Sequence, residues 1–330
     1  MTLLGHDPAW RAWRAALASE RMHHAWLLVG PRGMGKGSFA RAAAALLVRE
    51  ADGSQAGTIG AHTISDGAHP DILLLDHLPD GDDEARKRDD GKPHKLKRNI
   101  SVDQIRRMQA RLTTRPTLGD RRAIIVDPAD DMERPAANAL LKSLEEPPRG
   151  STFLLVAHHA ARLLPTIRSR CRVLRFPPLA EGDMDALLRQ HAPDAAADAR
   201  QAAMLAARGS PGAALTFVAR ELASLSVLMR RIVTEGDPDL VLRTALAQEL
   251  GARPDRERLA AAFDLARAVL GEALTGADHD AQGRIIEAFA ALTALGAQAP
   301  TYNFDPALLV AEIGGLLASA AMPRQRAGRA

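Results

Sequence analysis

Residues 30–38 read Gly-Pro-Arg-Gly-Met-Gly-Lys-Gly-Ser and constrain the fold of this chain more than any other stretch. They follow the pattern G-x-x-x-x-G-K-[ST] as far as Lys36, but Gly37 stands where the pattern has a hydroxyl. In such loops backbone N–H groups surround phosphate oxygens, the lysine approaches the β- and γ-phosphates, and the hydroxyl binds Mg²⁺. Ser38 carries its hydroxyl one residue late, which is a rotation of about 100° on a helix. The sequence therefore predicts a phosphate-binding loop without its metal ligand.

The segments on either side of this loop support the prediction. Residues 25–29 form an apolar run typical of a buried parallel strand, and residues 39–48 are rich in Ala and Leu, as in a helix. Strand, glycine loop and helix together form the arrangement that binds phosphate, so a glycine-rich turn without function is the weaker alternative. The residues predicted to contact a nucleotide are Gly30, Gly33, Gly35, Lys36, Gly37 and Ser38.

The rest of the chain divides into a part with predicted strands and a part without them. Short apolar segments alternate with helical patterns and predict a parallel sheet covered on both faces, with further strands at 72–75, 123–127, 153–157 and 173–176. After Pro178 the sequence is rich in Ala, Leu and Arg with helical periodicity. We predict an α/β domain followed by all-α domains, with boundaries at 1–178, 179–222 and 223–330.

Composition excludes several classes of protein. The single cysteine, Cys171, permits no internal disulfide and no cysteine-rich zinc site, which fits a reducing cytoplasm. No apolar run approaches the ~18 residues of a membrane span, and the N-terminus lacks a signal-peptide pattern. We expect a cytoplasmic protein with no membrane segment.

The stretch 77–99 combines an acidic cluster with a basic cluster. Runs of charge are usually solvated, so we predict a surface loop here. The alternative is a DNA contact through Lys95, Lys97 and Arg98. The net charge of +3 at pH 7 is compatible with a nucleic-acid neighbour but does not require one.

A second candidate site lies at the end of the strand 123–127, about 90 residues after the phosphate loop. Asp127 has the position of a carboxylate that orders Mg²⁺ beside such a loop. The next residue is Pro128, which has no side chain to accept a proton from an attacking water. Asp130 and Asp131 are predicted to cap the helix that follows.

Three strings of residues in the α/β part carry a more specific pattern. They are Asp-Pro-Ala-Asp-Asp-Met at 127–132, Ala-Asn-Ala-Leu-Leu-Lys-Ser-Leu-Glu-Glu-Pro-Pro at 137–148, and Pro-Thr-Ile-Arg-Ser-Arg-Cys at 165–171. With the altered phosphate loop they resemble the clamp-loader branch of the AAA+ family. The resemblance has strong motifs from about Gly5 to Phe176 and rests on domain layout beyond that point.

The resemblance implies a fold and an assembly. The expected domains are an AAA+ parallel-sheet domain, a small helical lid and a helical collar that joins other subunits in an open ring. The expected role is that of a non-hydrolysing, stator-like subunit of the replicative clamp loader, which helps to load the sliding clamp onto primed DNA. The implied partners are the gamma/tau motor subunits and the delta subunit, with the clamp and primer–template DNA reached through the complex.

The resemblance also implies a role for Arg170. In this family the arginine of the Ser-Arg-Cys triplet reaches the ATP site of the neighbouring subunit, where its guanidinium neutralises charge on the γ-phosphate. Ser169 and Cys171 are then its structural neighbours, and Cys171 is expected to be a packing residue. The alternative is a surface arginine that pairs with a local carboxylate.

Three residues depart from the pattern of an active ATPase, and each departure predicts a loss of ATP hydrolysis. Gly37 removes the metal-binding hydroxyl, Pro128 removes the water-activating acid, and Gly212 stands where active relatives carry an arginine. The polar sensor that ends a strand in this family falls near His158 or His159. The cysteine-rich zinc module of many members is absent from 51–68, which contains no cysteine.

These departures predict no intrinsic ATP hydrolysis, no required cofactor and no bound metal. Weak binding of ATP or ADP through Lys36 and the glycine loop stays open. Two other functions compete with this one. One is an active AAA+ ATPase of the clamp loader, and the other is a stand-alone DNA-binding module that uses the basic cluster.

Overall fold

The computed structural model describes residues 5–19, 22–52, 69–92, 94–251, 254–299 and 304–321. The chain forms two compact units, Met1–Leu179 and Ala180–Ala330. Most of the connection at 51–68 lies outside the described residues. The predicted division of the second part at 222 and 223 stays a prediction.

The first unit is built on a five-stranded sheet. The strands are β1 (Ala25–Val29), β2 (Ile72–Leu75), β3 (Arg122–Val126), β4 (Ser151–Ala157) and β5 (Arg172–Arg175). They lie in the order β2-β3-β4-β1-β5, and every neighbouring pair is parallel. The predicted strands and the predicted parallel α/β class are therefore confirmed.

Helices cover both faces of this sheet. Helices Asp7–Leu17 and Lys36–Asp52 pack on one face, while helices Val102–Leu112 and Arg134–Glu145 pack on the other. Side chains of β3 alternate between the two apolar cores, since Ile124 enters one core and Ile125 enters the other. Burial on both faces is the reason why these strands read as uninterrupted apolar runs.

The second unit is helical. Its described residues contain no strand and form eight α-helices, at Glu181–His191, Ala197–Ala207, Pro211–Ala219, Ala223–Glu235, Val241–Leu250, Arg256–Ala273, His279–Gln298 and Pro306–Ala320. Asp305 caps the last helix, because its Oδ1 accepts the N–H of Ala307 at 2.8 Å, as the Asp-Pro start predicts. Among the described residues no single helix is long and apolar enough to cross a membrane, although the bent pair Pro211–Ala219 and Ala223–Glu235 passes that test when taken together.

One prediction was wrong. The stretch 77–99 contains a helix, Asp82–Asp89, rather than only loop. None of its side chains is buried, so the sequence has no apolar stripe that would reveal it. The acidic residues of this helix lie in its first turn and the basic residues in its last turn, namely Asp82, Asp83 and Glu84, then Arg86, Lys87 and Arg88. Each set lies at the helix end of opposite partial charge, which stabilises the helix. Glu84 also accepts a hydrogen bond from Lys87 at 2.8 Å.

A buried ion pair fixes the edge of the sheet. Asp71 is 1% exposed and Arg122 is 4% exposed, and their side chains are 3.4 Å apart. The Asp71 carboxylate also accepts the N–H groups of Thr117 at 2.7 Å and Leu118 at 2.8 Å. This carboxylate therefore joins the start of β2 to the turn that leads into β3.

We predict that Asp71→Ala lowers the free energy of unfolding by about 3–5 kcal/mol, because the change leaves the Arg122 guanidinium buried without its carboxylate. Urea unfolding of the variant and the parent chain measures this difference. The matched control is Arg106→Ala, which removes an exposed pair with Asp103 and is expected to cost less than about 1 kcal/mol. Equal effects of the two changes would contradict a special role for the buried pair.

Candidate functional site

The predicted phosphate loop lies between β1 and the helix Lys36–Asp52. Gly33 and Gly35 both have φ of +77°, a left-handed conformation that residues with a side chain rarely adopt. The helix begins at Lys36, so Gly37 and Ser38 lie in its first turn. The N-terminus of a helix carries a partial positive charge and unpaired N–H groups, which favours an anion here.

Lys36 lies at the bottom of the loop and is 2% exposed. Its Nζ donates hydrogen bonds to the carbonyl oxygens of Gly30 and Pro31. Burial lowers the pKa of the Lys36 ammonium to about 8, and the nearby Asp127 carboxylate opposes that shift. An ammonium has three N–H donors, so one donor is left for a phosphate oxygen.

Asp127 ends β3 and pairs with Arg41 of the adjacent helix. Arg41 Nη1 lies 3.7 Å from Asp127 Oδ2, and the Asp127 side chain is 17% exposed. Burial raises the pKa of the Asp127 carboxyl, while the positive charges of Arg41 and Lys36 oppose that change. The carboxylate predicted to order a metal therefore already has two cationic neighbours from the protein.

The residues at this point do not fit a magnesium ion. Mg²⁺ requires oxygen ligands in nearly octahedral geometry, and residue 37 offers none. A Cβ placed on Gly37 would lie 2.4 Å from Asp127 Oδ2 and 3.1 Å from Arg41 Nη1, so the space beside the glycine is already filled. Among the described residues no group of three or more His, Cys, Asp or Glu side chains is placed to hold a metal ion.

Asp130 has a different role from the one predicted. It lies in a 3₁₀ turn, Ala129–Asp131, and the helix begins only at Arg134, so it does not cap that helix. Its carboxylate accepts the N–H groups of His158 at 3.0 Å and His159 at 2.7 Å. Asp130 therefore fixes the backbone at the end of β4. Asp131 instead pairs with His77 Nε2 at 3.3 Å.

His158 lies beside the phosphate loop, in the region where the sequence places a sensor. Burial, together with the positive charge of Lys36, lowers the pKa of its imidazole to about 4. The ring is therefore neutral at physiological pH. His158 Nδ1 is buried without a hydrogen-bond partner in the part of the chain that the structure describes.

Arg170 follows the short helix Pro165–Arg168, just before β5. Its Nη1 donates to the carbonyl oxygen of Thr166 at 3.0 Å, and its Nη2 lies 2.7 Å from Glu145 Oε1. The side chain is 35% exposed. The local carboxylate partner considered from the sequence is thus present, and these contacts do not lead to the phosphate loop of the same chain.

The neighbours of Arg170 are held by local contacts. Ser169 Oγ donates to the carbonyl oxygen of Thr166 at 3.1 Å. Cys171 packs against the apolar core under the sheet, and burial raises the pKa of its thiol to about 12. The thiol is therefore protonated at neutral pH, which does not suit a nucleophile. Gly212 lies in the helix Pro211–Ala219 of the second unit.

The structure adds three residues that the sequence did not single out. Arg41 lies four residues after Gly37 and so on the same face of the helix, a spacing that could have revealed it. Glu145 was part of a motif but had no assigned partner. His6 is buried, its Nε2 is 2.7 Å from the Met34 carbonyl oxygen, and its ring contacts Phe176, so it braces the phosphate loop.

We predict that His158 makes folding stability depend on pH. Its folded pKa of about 4 is below the ordinary 6.5, so the unfolded chain binds the extra proton between these values. The contribution is fully present above pH 6.5 and is lost as the pH falls toward 4, with a loss on the order of 2 kcal/mol. Urea unfolding at pH 7 and pH 4.5 measures it.

The variant His158→Gln should lose less stability than the parent chain over this pH range. The matched control is His159→Gln, which changes an exposed neighbouring imidazole and should leave the loss intact. An unchanged loss in His158→Gln would assign the pH dependence to other groups.

Comparisons with known proteins identify the family of this chain. The family described as "DNA polymerase III, delta subunit" matches residues 5–180. The DNA polymerase III subunit delta′ of Pseudomonas aeruginosa is 34% identical over 252 residues, which are 73% of this chain and 69% of that protein. The delta′ subunit of Escherichia coli is 33% identical over 206 residues, or 62% of this chain and 57% of that protein.

More distant matches lie in the same group. The DNA polymerase III subunit gamma/tau of Mycobacterium bovis is 33% identical over 173 residues, which are 52% of this chain and 28% of that protein. A solved gamma-subunit-related protein of Thermotoga maritima superposes with a TM-score of 0.49 at 17% identity, covering 94% of this chain and 98% of that one. The family model covers more than half of the chain, and the Pseudomonas match covers more than two thirds of both proteins. The chain therefore belongs to the DNA polymerase III delta′ family.

Proposed function

We propose that this chain is a non-hydrolysing subunit of the replicative clamp loader and supplies Arg170 to the ATP site of a neighbouring subunit. The observation that carries the proposal is the pairing of Asp127 with Arg41 beside Gly37. A P-loop enzyme needs a metal ion at this point to neutralise the charge that develops on the phosphates. Here a guanidinium stands beside the carboxylate instead.

The chain also lacks a group to activate water. Pro128 follows Asp127, and its ring cannot accept a proton. Asp130, the next carboxylate along the chain, is engaged with the backbone of His158 and His159. General-base catalysis requires a free acceptor within hydrogen-bond reach of the water, so these two residues support a loss of hydrolysis.

Arg170 has the properties that a residue acting in trans requires. Its guanidinium reaches the surface of the first unit and follows a helix fixed by the buried Ile167. A guanidinium placed on a γ-phosphate stabilises the charge of the transition state and is worth about 10³–10⁵ in rate in GTPases. Because the contacts of Arg170 do not lead to the phosphate loop of its own chain, its guanidinium would stabilise the transition state at a nucleotide bound by another chain.

The phosphate loop itself retains features that favour an anion. Lys36 is held by two loop carbonyls, and Gly33 and Gly35 adopt the left-handed conformations that let a loop turn its N–H groups toward an anion. We infer weak binding of ATP or ADP without hydrolysis. No cofactor is required for the proposed role.

The helical second unit is proposed to contain a collar that joins the other subunits. On the helix His279–Gln298, Ile286 is 55% exposed and Phe289 is 41% exposed. They are three residues apart and so lie on one face of the helix. Exposed apolar pairs of this kind suit a protein partner. The partners proposed are gamma/tau and delta, with the sliding clamp and primer–template DNA reached through the complex.

We predict that the purified chain hydrolyses no ATP above the blank. In a complex reconstituted with gamma/tau and delta, Arg170→Ala should lower the DNA-stimulated ATPase rate, with a loss of ~10³-fold or more at the site it serves. A steady-state phosphate-release assay measures both quantities. The matched control is Arg168→Ala, which removes an exposed arginine from the same segment.

Three outcomes would contradict the proposal. Brisk ATP hydrolysis by the isolated chain would favour the active-ATPase alternative. An unchanged rate in the Arg170→Ala complex would remove the role in trans. A salt-dependent shift of primed DNA by the isolated chain would instead favour a DNA-binding module.

We predict that the double change Ile286→Glu and Phe289→Glu weakens assembly, because it places two charges on the proposed collar surface. Size-exclusion chromatography with gamma/tau and delta should show a larger free fraction of this chain. The matched control is Leu205→Glu, which changes a residue that is 61% exposed on another helix. Normal co-elution of the double variant would exclude this surface from the collar.

A further inference from the structure

We propose that Glu145 is a positioning residue for Arg170, an inference that rests on the role in trans proposed above. The two residues come from different motifs of the sequence. Glu145 is the last residue of the helix Arg134–Glu145, and Arg170 follows the helix Pro165–Arg168. Their side chains meet at 2.7 Å, between Glu145 Oε1 and Arg170 Nη2.

The position of Glu145 is unfavourable for its own helix. The C-terminal end of a helix carries a partial negative charge, which repels a carboxylate and favours a cation. Pairing with the Arg170 guanidinium offsets this repulsion. A carboxylate at this position is therefore better explained by the arginine that it holds than by the helix that carries it.

The guanidinium is held at two points. Nη2 forms an ion pair with Glu145 Oε1 at 2.7 Å, and Nη1 donates a hydrogen bond to the Thr166 carbonyl oxygen at 3.0 Å. Glu145 and Thr166 each lie next to a buried residue of their own helix, because Leu144 is 1% exposed and Ile167 is 0% exposed. An arginine side chain has several rotatable bonds, and holding it in one orientation before the reaction removes the entropic cost of ordering it.

The contacts leave donors for a phosphate. A guanidinium carries five N–H groups. The hydrogen bond to Thr166 uses one of them on Nη1, and the ion pair with Glu145 lies at Nη2. The side chain is 35% exposed. Arg170 can therefore contact Glu145 and a γ-phosphate of another chain at the same time.

A complex reconstituted with gamma/tau and delta tests the proposal with six versions of this chain. They are the parent chain, Glu145→Gln, Glu145→Ala, Glu146→Gln, Arg170→Ala, and the double variant Glu145→Gln with Arg170→Ala. Glu146→Gln is the matched control, because it removes the adjacent exposed carboxylate. DNA-stimulated ATP hydrolysis is measured as kcat and KM, and co-elution and thermal unfolding of each complex confirm assembly.

The expected result is a fall in kcat of about 3- to 10-fold in Glu145→Gln with an unchanged KM for ATP, since the lost interaction orients the transition state without binding the ground state. Glu146→Gln should match the parent complex. The double variant should be no slower than Arg170→Ala alone, because the two residues act as one unit. Glu145→Ala, which removes the carboxylate entirely, should give the same pattern as Glu145→Gln.

The other outcomes overturn the proposal. If Arg170→Ala is slow but Glu145→Gln and Glu145→Ala keep the parent rate, Glu145 does not position the guanidinium and the role of Arg170 in trans survives. If Glu145→Gln is faster than the parent, the carboxylate restrains Arg170 instead. If Arg170→Ala is itself unaffected, the proposed function fails, and with it the need for a positioning residue.

Discussion

The parallel direction of all five strands is the constraint on which the functional surface depends. In a parallel sheet the carboxyl ends of the strands meet at one edge. This places the loop after β1, the acid that ends β3 and the histidine after β4 beside one another, although they are separated by about 90 and 30 residues in the sequence. The two apolar cores keep the strands in register. Burial of the sheet therefore determines where the strands end. The strand ends in turn determine where the charged side chains of the site lie.

Two cationic side chains of the protein lie near the Asp127 carboxylate at that edge. They are Lys36 and Arg41, and His77 Nε2 lies 3.3 Å from the neighbouring Asp131 carboxylate. In a complete P-loop site a metal ion and the nucleotide supply part of the charge at this point. Here Arg41 supplies a positive charge beside Asp127 that needs no ligand from solution. Under the proposed function, this is how a chain can keep the sheet, the loop and the lysine without hydrolysing ATP.

Much of this architecture could be predicted from the sequence, because it depends on local patterns. The apolar runs predicted the strands, the spacing of the glycines predicted the phosphate loop, and the Asp-Pro pair predicted where the last helix begins. Contacts between distant segments could not be predicted in this way. The sequence predicts Asp130 as a helix cap, yet its carboxylate accepts a backbone N–H about 28 residues away at the end of β4. The helix Asp82–Asp89 could not be predicted from an apolar pattern, because it buries no side chain. The only signal in its sequence is the order of its charges, with acids in the first turn and bases in the last. The partner of Arg170 was considered only as an unspecified carboxylate, and the fold identifies it as Glu145.

The crowding around Gly37 has a consequence for how such a protein can change over generations. A serine at this position would restore the hydroxyl of the motif, but its Cβ would meet both Asp127 and Arg41. The nearest atom to that Cβ is Asp127 Oδ2 at 2.4 Å, and Arg41 Nη1 follows at 3.1 Å. Both are side-chain ends, so a serine would displace the carboxylate and the guanidinium rather than the backbone. Restoring the hydroxyl would therefore also change the position of the Asp127 carboxylate and its contact with Arg41 in the same step.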